Sequence, residues 1–127
     1  MQLIQATQEH GILRLMLDDN ARRNALSMDM LGQLQAALDQ AAGDPAVRVI
    51  VLAATGPAFS AGHDLKEMTR AREASDGGKD FFVETMATCA QVMQTIVNHP
   101  KPVIAEITGV ATAAGCQLVA SCDLAYA

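Results

Sequence analysis

The sequence predicts an α/β fold built around a mostly parallel sheet, on three observations. Short β-branched runs alternate along the chain with longer segments whose apolar residues recur at helical spacing. The run Val47–Ala53 is apolar with helical segments before and after it, as a strand of a parallel sheet covered by helices must be. No internal repeat, low-complexity linker or second apolar block divides the 127 residues, so a single domain is expected.

In chain order, residues 2–8 and 12–18 are two β-like runs flanking His10-Gly11. In the second, Leu13, Leu15 and Leu17 alternate with Arg14, Met16 and Asp18, which predicts a hairpin with one buried face. Asp18 to Asn24 is polar and turn-forming. Ser27 can cap a helix carried by Met28, Leu31, Leu34, Leu38 and Ala41, and Gly43-Asp44-Pro45 stops it. After the strand at Val47–Ala53, Thr55-Gly56-Pro57 opens a loop. Phe82, Met86, Cys89, Met93 and Ile96 mark a second helix that ends before His99-Pro100, with Met86 and Met93 read as core. Pro102–Ile107 is the next strand. A helix from about Ala114 to Ser121 and the start of a strand at Asp123–Ala127 complete the pattern.

Composition narrows the function. Nine basic and 14 acidic residues leave a net charge of −5 without a cationic track, which argues against nucleic acid. The longest uncharged run, Ile107–Cys122, is broken by Gly, Thr and Gln and falls short of the ~20 apolar residues that cross a bilayer, so no membrane partner is expected. The N-terminal residues MQLIQATQEHG lack the basic start and apolar stretch of a signal or presequence, which predicts a cytoplasmic protein. Cys89, Cys116 and Cys122 are odd in number and lack CxxC spacing; they read as buried small hydrophobes. A small-molecule site is the class left standing.

Two loops are placed to build it. Phe59–Met68 and Gly109–Gln117 follow successive strands, so in a parallel sheet both leave from the carboxyl edge, where ligands bind. Gly62 and Gly115 sit where backbone must turn or approach closely, leaving N–H groups near His63 and Ala114 to face a ligand oxygen. The helix starting near Ala114 adds the positive end of its dipole. Two such donors on one oxygen form an oxyanion hole, and losing one costs ~3 kcal/mol of barrier. From either loop alone, close packing would be the better reading; the pairing of the two shifts the balance.

The stretches Ala58-Phe-Ser-Ala-Gly-His-Asp-Leu-Lys-Glu-Met68, Lys101-Pro-Val-Ile-Ala105 and GVATAAGCQLVASCD over 109–123, with Arg23-Asn-Ala-Leu26, resemble the enoyl-CoA hydratase/isomerase, or crotonase, superfamily across essentially the whole chain. Within it they are most similar to a branch described as enoyl-CoA hydratase domain-containing proteins, which includes a mitochondrial type in animals. The resemblance implies a crotonase-like (ClpP/crotonase) spiral of ββα units, of which 1–127 would be an incomplete N-terminal part. It implies an acyl-CoA thioester as substrate, with no cofactor beyond that coenzyme A, and a homotrimer or hexamer for the full-length protein. It also implies a thioester carbonyl held by the N–H groups of His63 and Ala114, with Ala25, Ala61, Asp64, Leu65 and Lys66 beside CoA. Hydration or double-bond isomerisation in fatty acid metabolism is the reaction class suggested.

Gln117 departs from the pattern, because family hydratases carry a glutamate at the matching position and a second one further along. A carboxylate moves protons, whereas an amide only orients water or hydrogen-bonds. Two-glutamate hydration is therefore in doubt. Decarboxylation, thioester hydrolysis and non-catalytic acyl-CoA binding stand as alternatives. His63-Asp64 invites a dyad, but adjacent side chains on an extended loop diverge, and the backbone role is preferred. His10 and His99 read as turn and helix-end residues, and Glu106 as an outward-facing strand charge. No metal-ligand spacing joins the histidines, and no metal is predicted.

Overall fold

The computed structural model describes all residues 1–127. Its strands are β1 (Ile4–Glu9), β2 (Ile12–Leu17), β3 (Val49–Ala54), β4 (Ala58–Ser60), β5 (Val103–Glu106), β6 (Val110–Ala111) and β7 (Leu124–Tyr126). Its helices are α1 (Met28–Ala42), α2 (Leu65–Ala71), α3 (Lys79–Val97) and α4 (Ala114–Ser121), with a 3-10 turn at Asn20–Arg22. One sheet has the order β1-β2-β3-β5-β7; only β1 runs antiparallel to its neighbour. The second sheet pairs β4 with β6, also in parallel.

The alternation in β2 puts Leu13, Leu15 and Leu17 on the core face, and the register carries this across the sheet through Leu15↔Leu52 and Ile50↔Val103. Against that face pack Leu31, Leu34 and Leu38 of α1 and Val92, Met93 and Ile96 of α3, all buried. Each such side chain contributes roughly 1.5–3 kcal/mol on leaving water. Ser27 caps α1 by accepting the Met30 N–H at 3.1 Å. At the other end of α1 the Lys101 ammonium donates to the Ala41 and Asp44 carbonyls, a cation at the negative end of the helix dipole. His99 completes this joint: its Nδ1 accepts the Lys101 N–H at 3.1 Å, so Nε2 carries the proton given to the Leu38 carbonyl, 2.9 Å away. The strand β5 is thereby seated on the end of α1.

Strands β3 and β5 each feed a short strand of the second sheet and then helix, giving the successive units β3-β4-α2-α3 and β5-β6-α4, in keeping with the ββα pattern that the resemblance implies. The outer face of the main sheet holds an ion pair between Arg14 and Glu106, in keeping with the outward reading of Glu106.

The structure differs from expectation in four places. The loop expected at Phe59–Met68 contains β4 and the start of α2, and β6 lies in the second loop. Met86 is 47% exposed rather than core. The buried stripe of α3 runs through Thr85, Cys89, Val92, Met93 and Ile96, most of it in the second half of the helix. In α1, Met30 takes the fully buried place expected of Met28. Finally, Cys116 is exposed, since α4 turns Ala114, Gly115 and Leu118 inward and the residues between them outward. No helix is long and apolar enough to cross a membrane.

Candidate active site

The two loops meet, and backbone hydrogen bonds hold them. After β4, the Ala61 N–H donates to the Arg23 carbonyl (3.0 Å) and the Gly62 N–H to Ser60 Oγ (3.2 Å), while the Gly62 carbonyl accepts the Leu26 N–H (2.7 Å). Ser60 Oγ in turn donates to the Asn24 carbonyl (2.8 Å). From the other side, the Thr112 N–H donates to the Ser60 carbonyl at 3.1 Å and its hydroxyl to that of Ala61 at 3.4 Å. The loop after β4 is thus clamped between residues 23–26 and the start of α4.

Both glycines are needed for that approach. A Cβ on Gly62, whose φ is +91°, would lie 3.0 Å from Ala113 Cβ and 3.2 Å from the Ala114 nitrogen. A Cβ on Gly115 would lie 2.4 Å from the Ser60 carbonyl oxygen. Ala113 has φ 50° and ψ −124°, a conformation that costs an alanine about 1–3 kcal/mol and persists because its neighbours are anchored on both sides.

This lacing leaves particular N–H groups unused. Those of Ala61 and Gly62 are engaged, and that of His63 is the first in its loop without an acceptor. In the first turn of α4, the Gly115, Cys116 and Gln117 N–H groups bond to Thr112 and Ala113 carbonyls, and the Ala114 N–H does not bond at all. The N–H groups of His63 and Ala114 are therefore both free at the junction, as are those of their neighbours Asp64, Leu65 and Ala113, and the α4 dipole adds its positive end.

Beside the junction lies a cleft of about 260 Å³. It brings together Ala25, Ala61, His63, Asp64, Leu65 and Lys66, six of the residues expected near CoA, and adds Arg22 and Arg23, which sequence reasoning did not single out. Ala114, also expected beside the substrate, is buried and does not line the cleft. Gln117 is not in this cleft; its side chain is on the exposed side of α4 and makes no hydrogen bond with the protein. The Asp64 carboxylate is committed to α2 rather than to His63: it caps that helix by accepting the Lys66 and Glu67 N–H groups at 3.0 and 3.2 Å. Glu67 then accepts the Met28 N–H at 3.2 Å, which ties α2 to the start of α1.

The residue most easily missed is Asn24. It is fully buried with φ 54°; its side-chain oxygen accepts the Asp19 N–H (2.7 Å), and its amide donates to the Thr55 and Ala58 carbonyls (2.8 and 2.9 Å). No periodicity marks such a hub, although the Asn-Ala-Leu segment containing it was visible. No three His, Cys, Asp or Glu side chains converge as a metal site.

The thiols separate by environment. Burial raises the Cys89 thiol, and burial together with the neighbouring Asp123 charge pushes that of Cys122 up to about 12. Since the thiolate is the nucleophile, a brief iodoacetamide treatment of the folded protein is expected to label Cys116 and spare Cys89 and Cys122. Peptide mapping checks this, and equal labelling of all three would contradict the burial pattern.

The profile of the enoyl-CoA hydratase/isomerase family matches residues 7–127. The chain is 51% identical over 120 residues to "Enoyl-CoA hydratase domain-containing protein 3, mitochondrial" of Xenopus laevis, covering 94% of this chain and 39% of that protein. It is 47% identical to the Rattus norvegicus protein of the same name, covering 98% and 40%. The chain thus spans about two fifths of the length of these relatives. Among solved structures, human enoyl-coenzyme A hydratase domain-containing protein 3 superposes with a TM-score of 0.88 at 45% identity, covering 98% of this chain and 47% of that one. An enoyl-CoA hydratase of Mycobacterium smegmatis superposes with a TM-score of 0.89 at 46% identity, with the same coverages. The fold is the crotonase fold. The expectation of a cytoplasmic protein is overturned by the Xenopus laevis and Rattus norvegicus relatives, whose names place them in the mitochondrion. An organelle address is carried by a segment outside the fold, so residues that build the domain hold no information about compartment. On the family match and these identities, the chain belongs to the enoyl-CoA hydratase/isomerase family.

Proposed function

We propose that this chain binds an acyl-CoA thioester and stabilises its carbonyl as an enolate, with the N–H groups of His63 and Ala114 as the oxyanion hole. The observation that carries the reading is the junction itself: the His63 and Ala114 N–H groups are both without an acceptor, and their loops lie so close that a Cβ added to Gly62 would be 3.2 Å from the Ala114 nitrogen. Fixed backbone dipoles of this kind need no reorganisation as charge develops on the oxygen, and one donor is worth roughly 10²–10³ in rate. Ala25, Ala61, Leu65 and Lys66 then flank the CoA moiety, with Asp64 holding α2 in place beneath it.

Gln117 favours a second reading of the enolate's fate. An amide does not exchange protons near neutral pH, so with Gln117 at the position where family hydratases carry a glutamate, and outside the cleft just described, two-carboxylate hydration lacks one of its groups. Acyl-CoA binding without hydration, or a decarboxylation or thioester hydrolysis that uses the same hole, fits that side chain better than two-carboxylate hydration.

The test is crotonyl-CoA binding and hydration by the full-length protein and its Gln117→Glu variant. Both proteins are expected to bind crotonyl-CoA. Hydration is expected to rise at least about 100-fold in the variant, the lower end of what a positioned acid/base supplies. Failure of the unsubstituted protein to bind crotonyl-CoA would overturn the site. Equal hydration by the two proteins would overturn the role given to Gln117.

A further inference from the structure

The family motif accounts for the backbone of His63 and leaves its imidazole without a role, yet the imidazole forms part of the cleft wall. Its two nitrogens are in different situations. Nδ1 is enclosed and has no hydrogen-bond partner, whereas Nε2 is neither enclosed nor bonded to the protein. The other histidines differ: His99 has both nitrogens engaged, and His10 is a surface residue beside Glu9.

An enclosed N–H without an acceptor is among the rarest features of folded proteins, while an unmet lone pair is less costly. The neutral ring therefore carries its proton on Nε2 and leaves the lone pair on the enclosed Nδ1. That makes His63 a directed donor at the cleft wall, on the same residue whose backbone N–H is left without an acceptor.

We propose that His63 is a specificity-determining residue that donates a hydrogen bond from Nε2–H to an oxygen of the acyl carrier. The inference rests on the acyl-CoA reading above and gives the side chain a function separate from its backbone. The acceptor is an amide oxygen of the pantetheine arm or a phosphate oxygen of the nucleotide end; both offer lone pairs, and Arg22, Arg23 and Lys66 at the same cleft suit either.

Two measurements on the full-length protein test it. First, nitrogen NMR shifts of the neutral His63 imidazole, recorded without ligand, are expected to report protonated Nε2 and bare Nδ1; the opposite tautomer would overturn the proposal whether or not CoA binds. Second, crotonyl-CoA affinity is compared among the unsubstituted protein, His63→Leu and His63→Gln. All three keep the residue 63 N–H, so the oxyanion donor is common to them. Leucine is expected to weaken binding about five- to tenfold, as loss of one hydrogen bond does, and glutamine, whose amide N–H reaches a similar place, to restore most of it. Equal affinity of the leucine variant, or no rescue by glutamine, would overturn the donor role, since a purely steric part would not distinguish those two side chains by hydrogen bonding.

Repeating the comparison with crotonyl-pantetheine identifies the acceptor: a penalty that persists assigns the amide, and one that vanishes assigns the phosphate. If the unsubstituted protein binds neither compound, the acyl-CoA reading falls and this pairing with it, while the tautomer stands or falls on the spectrum alone.

Discussion

Gly115→Ala is expected to reduce crotonyl-CoA turnover or binding by the full-length protein about 100-fold and to destabilise it by about 1–3 kcal/mol. The added Cβ would lie 2.4 Å from the Ser60 carbonyl oxygen and 2.9 Å from the Ser60 carbonyl carbon and Cβ. Most of what it meets is main chain, which no rotamer change can move. The start of α4 has to withdraw from β4, and with it the Ala114 N–H, while His63 stays on its own loop. A displacement of about 1 Å between parts of a reacting constellation is enough for a 100-fold loss. Urea denaturation measures the loss of stability and ligand titration the loss of binding. An alanine variant with unchanged midpoint and affinity would show that the two loops do not depend on their close approach.

Asn24→Ala is the substitution expected to cost the most stability, at least about 4 kcal/mol. It removes the partners of three main-chain groups at once: the Asp19 N–H and the Thr55 and Ala58 carbonyls. Water cannot replace them at a fully buried position. Each group left unpaired costs about 1–3 kcal/mol, and alanine at φ 54° adds about 1–2 kcal/mol of backbone strain that asparagine tolerates better. Because the Asn24 carbonyl also receives the Ser60 hydroxyl, the damage spreads to the loop that carries His63. Asn24→Asp separates the contributions: it keeps an acceptor for the Asp19 N–H and sets a carboxylate against two carbonyls. Denaturant midpoints of the two variants check the prediction, and a loss below about 1 kcal/mol for alanine would show that the hub is dispensable.

Asn24 also shows where reading from sequence stops. Its segment was visible as part of a family resemblance, and its three partners are remote in sequence or lie in a turn without periodic pattern. The cleft is a mixed case: of the residues the motif points to, Ala25, Ala61, His63, Asp64, Leu65 and Lys66 line one cavity, whereas Ala114 and Gln117 do not. Arg22 lies in the polar turn and Arg23 at the edge of the Asn-Ala-Leu segment, and neither is marked as a cleft residue, because a polar stretch before a helix has the same composition whether or not it borders a ligand.

What the sequence determined by itself is everything encoded by near neighbours: the hairpin at His10-Gly11, the Ser27 cap, the stops of α1 and α3, and the strands of the main sheet, to within a residue or two. Those depend on local conformational preference and on a period repeated over several residues. Only the tertiary structure decided the second sheet, because β4 and β6, of three and two residues, are too short to carry a period and exist through each other. It likewise decided the phase of α3, which is set by where α1 lies, and which N–H groups stay unused, because a donor is free only after every neighbouring acceptor has been assigned in space.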